Sequence, residues 1–233
     1  MHLAPRPTLA TIRRARGHDV EDLLRVQERL ALYATAPASP VMPAPADLER
    51  FEAAVEQDLV HVLEVEPFGL VGFAVVQPWR SLRGSPVWNR LSRVRHARPG
   101  ALEDVERGPG PAHYQQLAVL PQGRPRGAYL ALHALEDALT THERVLATTV
   151  TAPAADLAAI RLMREVGFTA LGELDEWQDG IGPVTSQLHL LRREDYLARR
   201  RSPRFAALMS HARREYPAEL HPGPDLTRRG GVA

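Results

Sequence analysis

Two arginines and a glycine lie where a strand of the sequence meets a helix, and together they suit an anion. Arg124 and Arg126 flank Pro125, and Gly127 follows. Backbone N–H groups at the start of a helix have no intrahelical partner, and the helix dipole places partial positive charge there. A glycine lets a ligand approach the backbone, and guanidinium groups donate forked hydrogen bonds to phosphate oxygens. These residues therefore predict a site for a phosphate-bearing ligand.

Two common phosphate motifs are excluded at this loop. It lacks the Gly-Lys-Ser/Thr ending of a P-loop, and it lacks the three spaced glycines of a dinucleotide fingerprint. The chain has no lysine, so all 29 basic residues are arginine, which weakens any argument from single arginines. An ordinary strand–turn–helix connection therefore remains the alternative on these residues alone.

The elements around this loop follow from the spacing of apolar residues. Tyr114 to Leu120 is an apolar run of strand length, and Pro121 ends it by removing a backbone donor. From Gly127 onward the apolar residues recur at helical spacing, which predicts a helix starting there. The next segments are predicted as strand, short helix and strand, at 145–151, 156–166 and 169–174.

The segment LAVLPQGRPRG resembles the GNAT-type N-acetyltransferase superfamily. In that family a loop of pattern Gln/Arg-x-x-Gly-x-Gly/Ala holds the pyrophosphate of acetyl-CoA. Arg124 and Gly127 match this pattern, and Tyr129 departs from it. The resemblance is strong over residues 113–175 and follows the family's order of elements over residues 9–192.

A second segment, DLAAIRLMREVGF, resembles the family pattern Asn-x-x-Ala-x-x-x-Tyr-x-x-x-Gly-Phe. Ala159, Gly167 and Phe168 fit it. Asp156 stands where the family has Asn, and Met163 stands where it has Tyr. Asp156 also suits the N-cap of the helix that follows, which is the commoner use of such a residue.

The resemblance implies an α/β (α+β) domain with a mixed, mostly antiparallel sheet flanked by helices on both faces. It implies acetyl-CoA as co-substrate, with the backbones of Leu117 and Val119 pairing with the pantetheine arm like an added strand. The residues that it assigns to cofactor binding are Leu117, Ala118, Val119, Arg124, Pro125, Arg126, Gly127, Ala128, Tyr129, Asp156 and Met163.

Acetyl transfer to an amine needs a group that takes a proton from the amine. His113 lies where the family often has a carboxylate, and an imidazole with a pKa of about 6.5 acts near neutral pH. The alternative to a catalytic role is that His113 is a solvated histidine at the start of a strand. Tyr114 is the second catalytic candidate, and Gln116 is a weaker one. In acetyl transfer the thiolate of CoA is the leaving group, and an acid can assist its departure. Met163 has no proton to give at the position of the family tyrosine. Three alternatives stay open: another group assists the thiolate, the thiolate leaves unassisted, or the chain binds the cofactor without efficient transfer.

The remaining segments divide the chain into an arm, a domain and an extension. Residues 1–8 are a Pro-rich arm, 9–192 form the domain, and 193–233 are a basic extension with a disordered end. Within the domain, 78–112 is an insertion that could cover the acceptor site, pair with another subunit to form a homodimer, or be mobile. The acceptor-pocket candidates are Tyr33, Met42 and Phe51, for which core packing is the commoner explanation.

Composition excludes several other classes of protein. The chain has no cysteine, so disulfides, thiolate metal sites and a cysteine nucleophile are excluded, and no metal site is predicted. The formal net charge of +1 provides no global field for nucleic acid. No apolar run approaches membrane-spanning length and no secretory signal is evident, so a cytoplasmic protein is the default expectation.

The sequence thus predicts an N-acetyltransferase that moves acetyl from acetyl-CoA to an amine on a small molecule. Its departures from the family pattern leave open a catalytically weak acyl-CoA-binding relative. An interaction protein that uses 78–112 and 193–214 as partner surfaces is a further alternative. Nucleic-acid binding by the arginine-rich extension is disfavoured, because the sequence shows no basic platform interleaved with aromatic side chains.

Overall fold

Eight strands and the helices between them account for most of the described chain. The computed structural model describes residues 10–34, 48–57, 59–83, 85–97, 99–106, 109–153, 155–178, 182–209, 212–216 and 220. The strands are β1 (Ala10–Arg14), β2 (Val60–Val65), β3 (Gly69–Gln77), β4 (Ala112–Val119), β5 (Arg144–Ala152), β6 (Thr169–Gln178), β7 (Gly182–Arg192) and β8 (Arg213–Arg214). The helices are α1 (Val20–Ala34), α2 (Leu48–Glu56), α3 (Trp79–Leu82), α4 (Pro86–Arg90), α5 (Glu103–Glu106), α6 (Gly127–Thr141), α7 (Leu157–Val166), α8 (Arg193–Arg200) and α9 (Pro203–Met209).

All eight strands belong to one sheet in the order β6-β7-β5-β4-β3-β2-β1-β8. The β4–β5 and β1–β8 pairs are parallel, and the other five pairs are antiparallel. Strands β2 and β3 form an antiparallel hairpin with a bulge beside Gly72. A Cβ on Gly72 would lie 2.9 Å from the Ala118 carbonyl oxygen, so the close packing of β3 on β4 requires glycine.

Helices cover both faces of the sheet, as the fold class predicted. Phe51 of α2 packs edge-on against Phe73 of β3, at 5.3 Å between ring centroids, which places α1 and α2 on one face. Val119 of β4 points to the opposite face, where its side chain lies against Gly127 at the start of α6. We call these the α1–α2 face and the α6 face.

The insertion at 78–112 builds a second small core on the sheet. Four buried side chains of the insertion, Leu82, Leu91, Ala101 and Val105, pack against Leu146, Leu171, Leu174, Leu188 and Leu190 of β5, β6 and β7. The backbones of Arg95 and Glu173 exchange two hydrogen bonds on the outer edge of β6. Each backbone N–H donates to the other residue's carbonyl oxygen, with N···O distances of 2.8 Å. Over its described residues the insertion therefore covers the α1–α2 side of β5 to β7 and protects an edge strand.

The start of the C-terminal extension belongs to the main core. Tyr196 of α8 and Phe205 of α9 are buried, and their rings contact each other in the same cluster as the α6 side chains. Helix α9 ends at Met209, and Arg213 and Arg214 pair with Thr11 and Ile12 and extend the sheet as β8.

Some sequence predictions lie outside the described residues. They are the arm at 1–8, Met42, the side chain of Tyr33, and the end of the extension from residue 221 onward. Within the described residues, no helix is long and apolar enough to cross a membrane.

Candidate active site

The sheet opens between β4 and β5. The two strands pair only through Ala112, His113 and Tyr114 on β4 and Val145, Leu146 and Ala147 on β5. Beyond that closure β4 continues to Val119 and β5 to Ala152, and β4 pairs there with β3 alone. The result is a wedge that is closed at Tyr114 and Ala147 and open toward the carboxyl ends of both strands.

Backbone donors of β4 point into this wedge. The Leu120 N–H donates to the Val71 carbonyl at 2.8 Å and so points toward β3. Since consecutive residues of an antiparallel strand direct their backbone groups to alternate sides, the N–H groups of Val119 and Leu117 point toward β5, and that of Ala118 points toward β3. Leu117 is also 38% exposed, whereas Ala118 is buried. The open edge of β4 therefore offers two donors to an extended ligand.

The wedge leads to the start of α6, which begins at Gly127 as the sequence predicted. Residues 121–126 form a 3-10 turn, and the Gly127 N–H donates to the Arg124 carbonyl. Within the described part of the chain no side-chain hydrogen bond caps α6 at Arg126, and the first backbone N–H groups of a helix have no acceptor inside the helix itself. Arg124 is exposed, and Arg126 and Tyr129 are half-buried, with Tyr129 packed against the main core.

Glycines hold this turn close to the strands. A Cβ on Gly123 would lie 2.8 Å from Val71 Cγ2, and a Cβ on Gly127 would lie 3.3 Å from Val119 Cγ2. The turn and the helix start thus sit directly on the end of β4, where only a residue without a side chain fits comfortably. This explains the two glycines in PQGRPRG as packing residues that bring the helix N-terminus to the mouth of the wedge.

A pocket of about 190 Å³ lies on the α1–α2 face beside a bulge in β4. The bulge is at Gln115, because Val75 pairs with Gln116 and Val76 with Tyr114. The lining is mostly neutral: Arg50, Phe51, Ala53, Ala54, Gln57, Leu59, Val75, Gln77, Ser81, Gln115 and Gln116. The predicted pocket residue Phe51 does line it, although the side chain is also part of the core.

Polar contacts orient two of the pocket amides. Gln116 Nε2 donates to Oε1 of the buried Gln27 at 2.8 Å, and the Ser81 hydroxyl lies 3.4 Å from Gln57 Oε1. Ser81 belongs to α3, so the insertion contributes to the pocket wall. The described part of the insertion therefore forms a wall beside this pocket.

His113 lies on the same face as the pocket but is buried. It pairs with Gln77, and Gln116 pairs with Val75, so all four side chains share the α1–α2 face. His113 is 2% exposed, and neither ring nitrogen has a hydrogen-bond partner among the described residues. Burial lowers its pKa to about 4. The expectation of an ordinary pKa and the alternative of a solvated histidine are both wrong, because the ring is enclosed between the sheet and its neighbours.

Tyr114 points to the other face of the sheet, away from the pocket. Its ring is buried, and its hydroxyl has no hydrogen-bond partner within the described part of the chain. Burial, with a smaller contribution from the nearby Tyr216, raises the pKa of Tyr114 far above its ordinary value. The geometry therefore gives this predicted catalytic residue a packing role on the α6 side.

The second family-like segment forms α7, with its ends where they were predicted. The Asp156 carboxylate accepts the Ala159 N–H at 2.9 Å, which confirms Asp156 as the N-cap. Gly167 ends the helix with φ of +105°, a left-handed conformation that favours glycine. Met163 is buried in the main core. Its thioether has no proton to donate, so the position of the family tyrosine is filled by a packing residue.

Sequence reasoning missed a buried polar pair on the β5 side of the wedge. Thr149 Oγ1 and His189 Nε2 lie 2.8 Å apart, and both residues are about 95% buried. Burial lowers the pKa of His189 to about 4. The two residues are 40 positions apart in the sequence and meet only through the register of β5 with β7. The alternation of side chains along the predicted strand at 185–191 places His189 on one face of that strand. No signal near it in the sequence identifies Thr149 as its partner.

Comparison with known proteins identifies the fold. No protein-family model matches the sequence, and no curated protein matches it. Among solved structures, an N-acetyltransferase from Staphylococcus aureus Mu50 is 17% identical, with a TM-score of 0.54 over 78% of this chain and 98% of that one. The protein yncA from Salmonella typhimurium, solved with its cofactor acetyl-CoA, is 19% identical, with a TM-score of 0.52 over 78% and 93%.

A third structure carries the family name. An acetyltransferase of the GNAT family from Streptococcus agalactiae is 13% identical, with a TM-score of 0.51 over 78% of this chain and 95% of that one. The chain therefore has the fold of the GNAT-type N-acetyltransferase superfamily, as its motifs predicted. At these identities the likeness establishes the fold, and the activity has to be argued from the site.

Proposed function

We propose that this protein transfers an acetyl group from acetyl-CoA to the amine of a small molecule. One observation carries the proposal. The wedge between β4 and β5 has backbone donors along one side and the start of α6 at its mouth, and a pocket lined by Gln115 and Gln116 lies next to its closed end on the α1–α2 face. A ligand with an extended arm and a phosphate group fits the first part, and an acceptor fits the second.

The wedge supplies the groups that acetyl-CoA needs. The N–H groups of Leu117 and Val119 would pair with the pantetheine arm, as the family resemblance implies and as their direction allows. The N–H groups at Ala128 and Tyr129 would bind the pyrophosphate, with charge added by Arg124 and Arg126. Gly127 has no Cβ, which lets the start of α6 lie against Val119 at the end of β4 and so beside the mouth of the wedge. The bound acetyl-CoA supplies an activated acyl group as a thioester. The yncA structure contains the same molecule.

The pocket suits a small and largely neutral acceptor. Its volume of about 190 Å³ admits a molecule of roughly amino-acid size, and glutamine side chains provide both donors and acceptors within it. The bulge residue Gln115 lines the pocket and directly follows Tyr114, which is at the closed end of the wedge. An amine held there would lie beside the thioester carbonyl, which is the positioning that acyl transfer requires.

The amine proton would be removed either by water in the pocket or by His113, which is the side-chain candidate. An imidazole with a pKa of about 4 is a weak base, so His113 would contribute little at neutral pH. A pH–rate profile of His113→Gln separates the two routes. Loss of rate in this variant, with unchanged affinity for acetyl-CoA, would assign the base to His113, whereas an unchanged rate would assign it to water.

A second candidate function is acyl-CoA binding without efficient transfer. The burial of Met163 and the low pKa of His113 favour it, because neither residue offers acid–base catalysis near neutral pH. Calorimetric titration with acetyl-CoA followed by a thiol-release assay against a panel of small amines separates the candidates. Binding with amine-dependent thiol release supports the transferase, binding without release supports the second function, and no binding contradicts both.

A further inference from the structure

Departure of the thiolate needs help that the family-like segments do not provide. When the bond between the carbonyl carbon and sulfur breaks, its electron pair goes to the sulfur, which then carries a negative charge. Met163, at the position of the family tyrosine, is buried and has no donor. A donor must therefore come from another residue beside the closed end of the wedge, or be absent.

The direction of the arm locates the sulfur. If the phosphates bind at the start of α6 and the arm pairs with Val119 and then Leu117, the arm runs from the mouth of the wedge toward its closed end at Tyr114 and Ala147. This step rests on the proposed function. The thioester would then lie beside the first residues of β5 beyond Ala147. Thr149 is two residues beyond Ala147, which is about 7 Å along a strand.

The face of the sheet to which Thr149 points is also compatible with a role at the sulfur. Tyr114 pairs with Ala147, so the side chains of Ala147 and Thr149 point to the α6 face. The pocket and its bulge lie on the α1–α2 face. An acceptor amine would thus approach from one face while the Thr149 hydroxyl lies on the other, so the two do not compete for space.

We propose that the Thr149 hydroxyl donates a hydrogen bond to the sulfur of the leaving thiolate, and that His189 holds this hydroxyl in place. A neutral imidazole has one N–H, and when this is on Nε2 it donates to Thr149 Oγ1 at 2.8 Å. The threonine proton is then free to point into the wedge. The sulfur receives a hydrogen bond and no proton from threonine, and the amine proton leaves to solvent.

The other β5 hydroxyls are less suited to this role. The Thr151 hydroxyl already donates to the Thr185 carbonyl at 3.0 Å. Thr148 points to the α1–α2 side, because it pairs with Leu188 of the second core. Thr148→Val is therefore a matched control: the same substitution, one residue earlier, on the opposite face.

The test measures the ionisation of the thiol of bound CoA by the ultraviolet absorbance of its thiolate. A hydrogen bond to a charged group lowers the thiol pKa by about one to two units, so Thr149→Val should raise the pKa of bound CoA by that amount. Thr149→Ser should keep the low value, and Thr148→Val should match the unsubstituted protein. Loss of the hydrogen bond in Thr149→Val should also lower kcat by about tenfold to a hundredfold, with KM for acetyl-CoA unchanged.

Three results would overturn the inference. One is an unchanged thiol pKa of bound CoA in Thr149→Val, and another is the same shift in Thr148→Val. Thr149→Ala serves as a second hydroxyl-free variant if the valine variant fails to fold. Failure of the unsubstituted protein to bind CoA would overturn the proposed function together with this inference, whereas binding with an unchanged pKa would overturn the inference alone.

Discussion

Leu117→Pro removes one backbone donor from the wedge and leaves the β3–β4 ladder intact. The Leu117 N–H points toward β5, while the neighbouring Leu120 and Ala118 positions direct their N–H groups to β3. Proline is tolerated in a strand where its nitrogen faces away from the pairing partner. Loss of one hydrogen bond worth about 0.5–1.5 kcal/mol should raise the Kd for acetyl-CoA about twofold to thirteenfold.

Ala118→Pro is the matched control for this prediction. Its nitrogen faces β3, and Ala118 is 3% exposed, so the same residue placed there should break the ladder and cost about 3 kcal/mol or more of stability. Isothermal titration calorimetry measures the Kd, and urea unfolding measures the stability. A folded Leu117→Pro protein that binds acetyl-CoA as tightly as the unsubstituted chain would refute the assignment of the β4 edge to the cofactor.

Three further predictions follow from charge, burial and capping. Arg124→Glu should weaken acetyl-CoA binding about tenfold by placing a like charge near the phosphates; an unchanged calorimetric Kd would count against the helix-start site. His113 has its pKa lowered to about 4, so the unfolded chain binds more protons below pH 6.5. Its contribution to unfolding free energy should fall by about 2 kcal/mol between pH 7 and pH 5. His113→Leu should show a smaller fall in urea titrations, and an equal fall would be inconsistent with a buried neutral ring. Asp156→Ala should cost about 1 kcal/mol of stability by removing the α7 cap, with acetyl-CoA affinity unchanged; a loss of affinity in calorimetry would reveal a cofactor role instead.

Local patterns predicted the central part of the fold. The change from an apolar run ending at Pro121 to helical spacing from Gly127 located β4, the turn and the start of α6. The N-cap at Asp156 and the stop at Gly167 follow from helix-end chemistry that acts over a few residues. Such features depend on neighbours in the sequence, so the sequence is sufficient to find them.

Features that depend on strand register could not be predicted in this way. The face to which His113 points follows from its pairing with Gln77 and from the bulge at Gln115, and its burial shifts its pKa. The Thr149–His189 pair likewise exists only because β5 and β7 align. The insertion had many arginines, glycines and prolines, and the sheet surface that orders it became evident only with the assembled strands.

Backbone hydrogen exchange with and without acetyl-CoA shows whether the wedge holds the cofactor. Saturating acetyl-CoA should slow exchange at the N–H groups of Leu117 and Val119 and at the first turn of α6, beginning with Ala128, because these donors lie along the wedge. The edge strand β8 should exchange at the same rate in both samples. Saturable binding with protection confined to other segments, or no change anywhere in the folded protein, would contradict the claim that the wedge holds the cofactor.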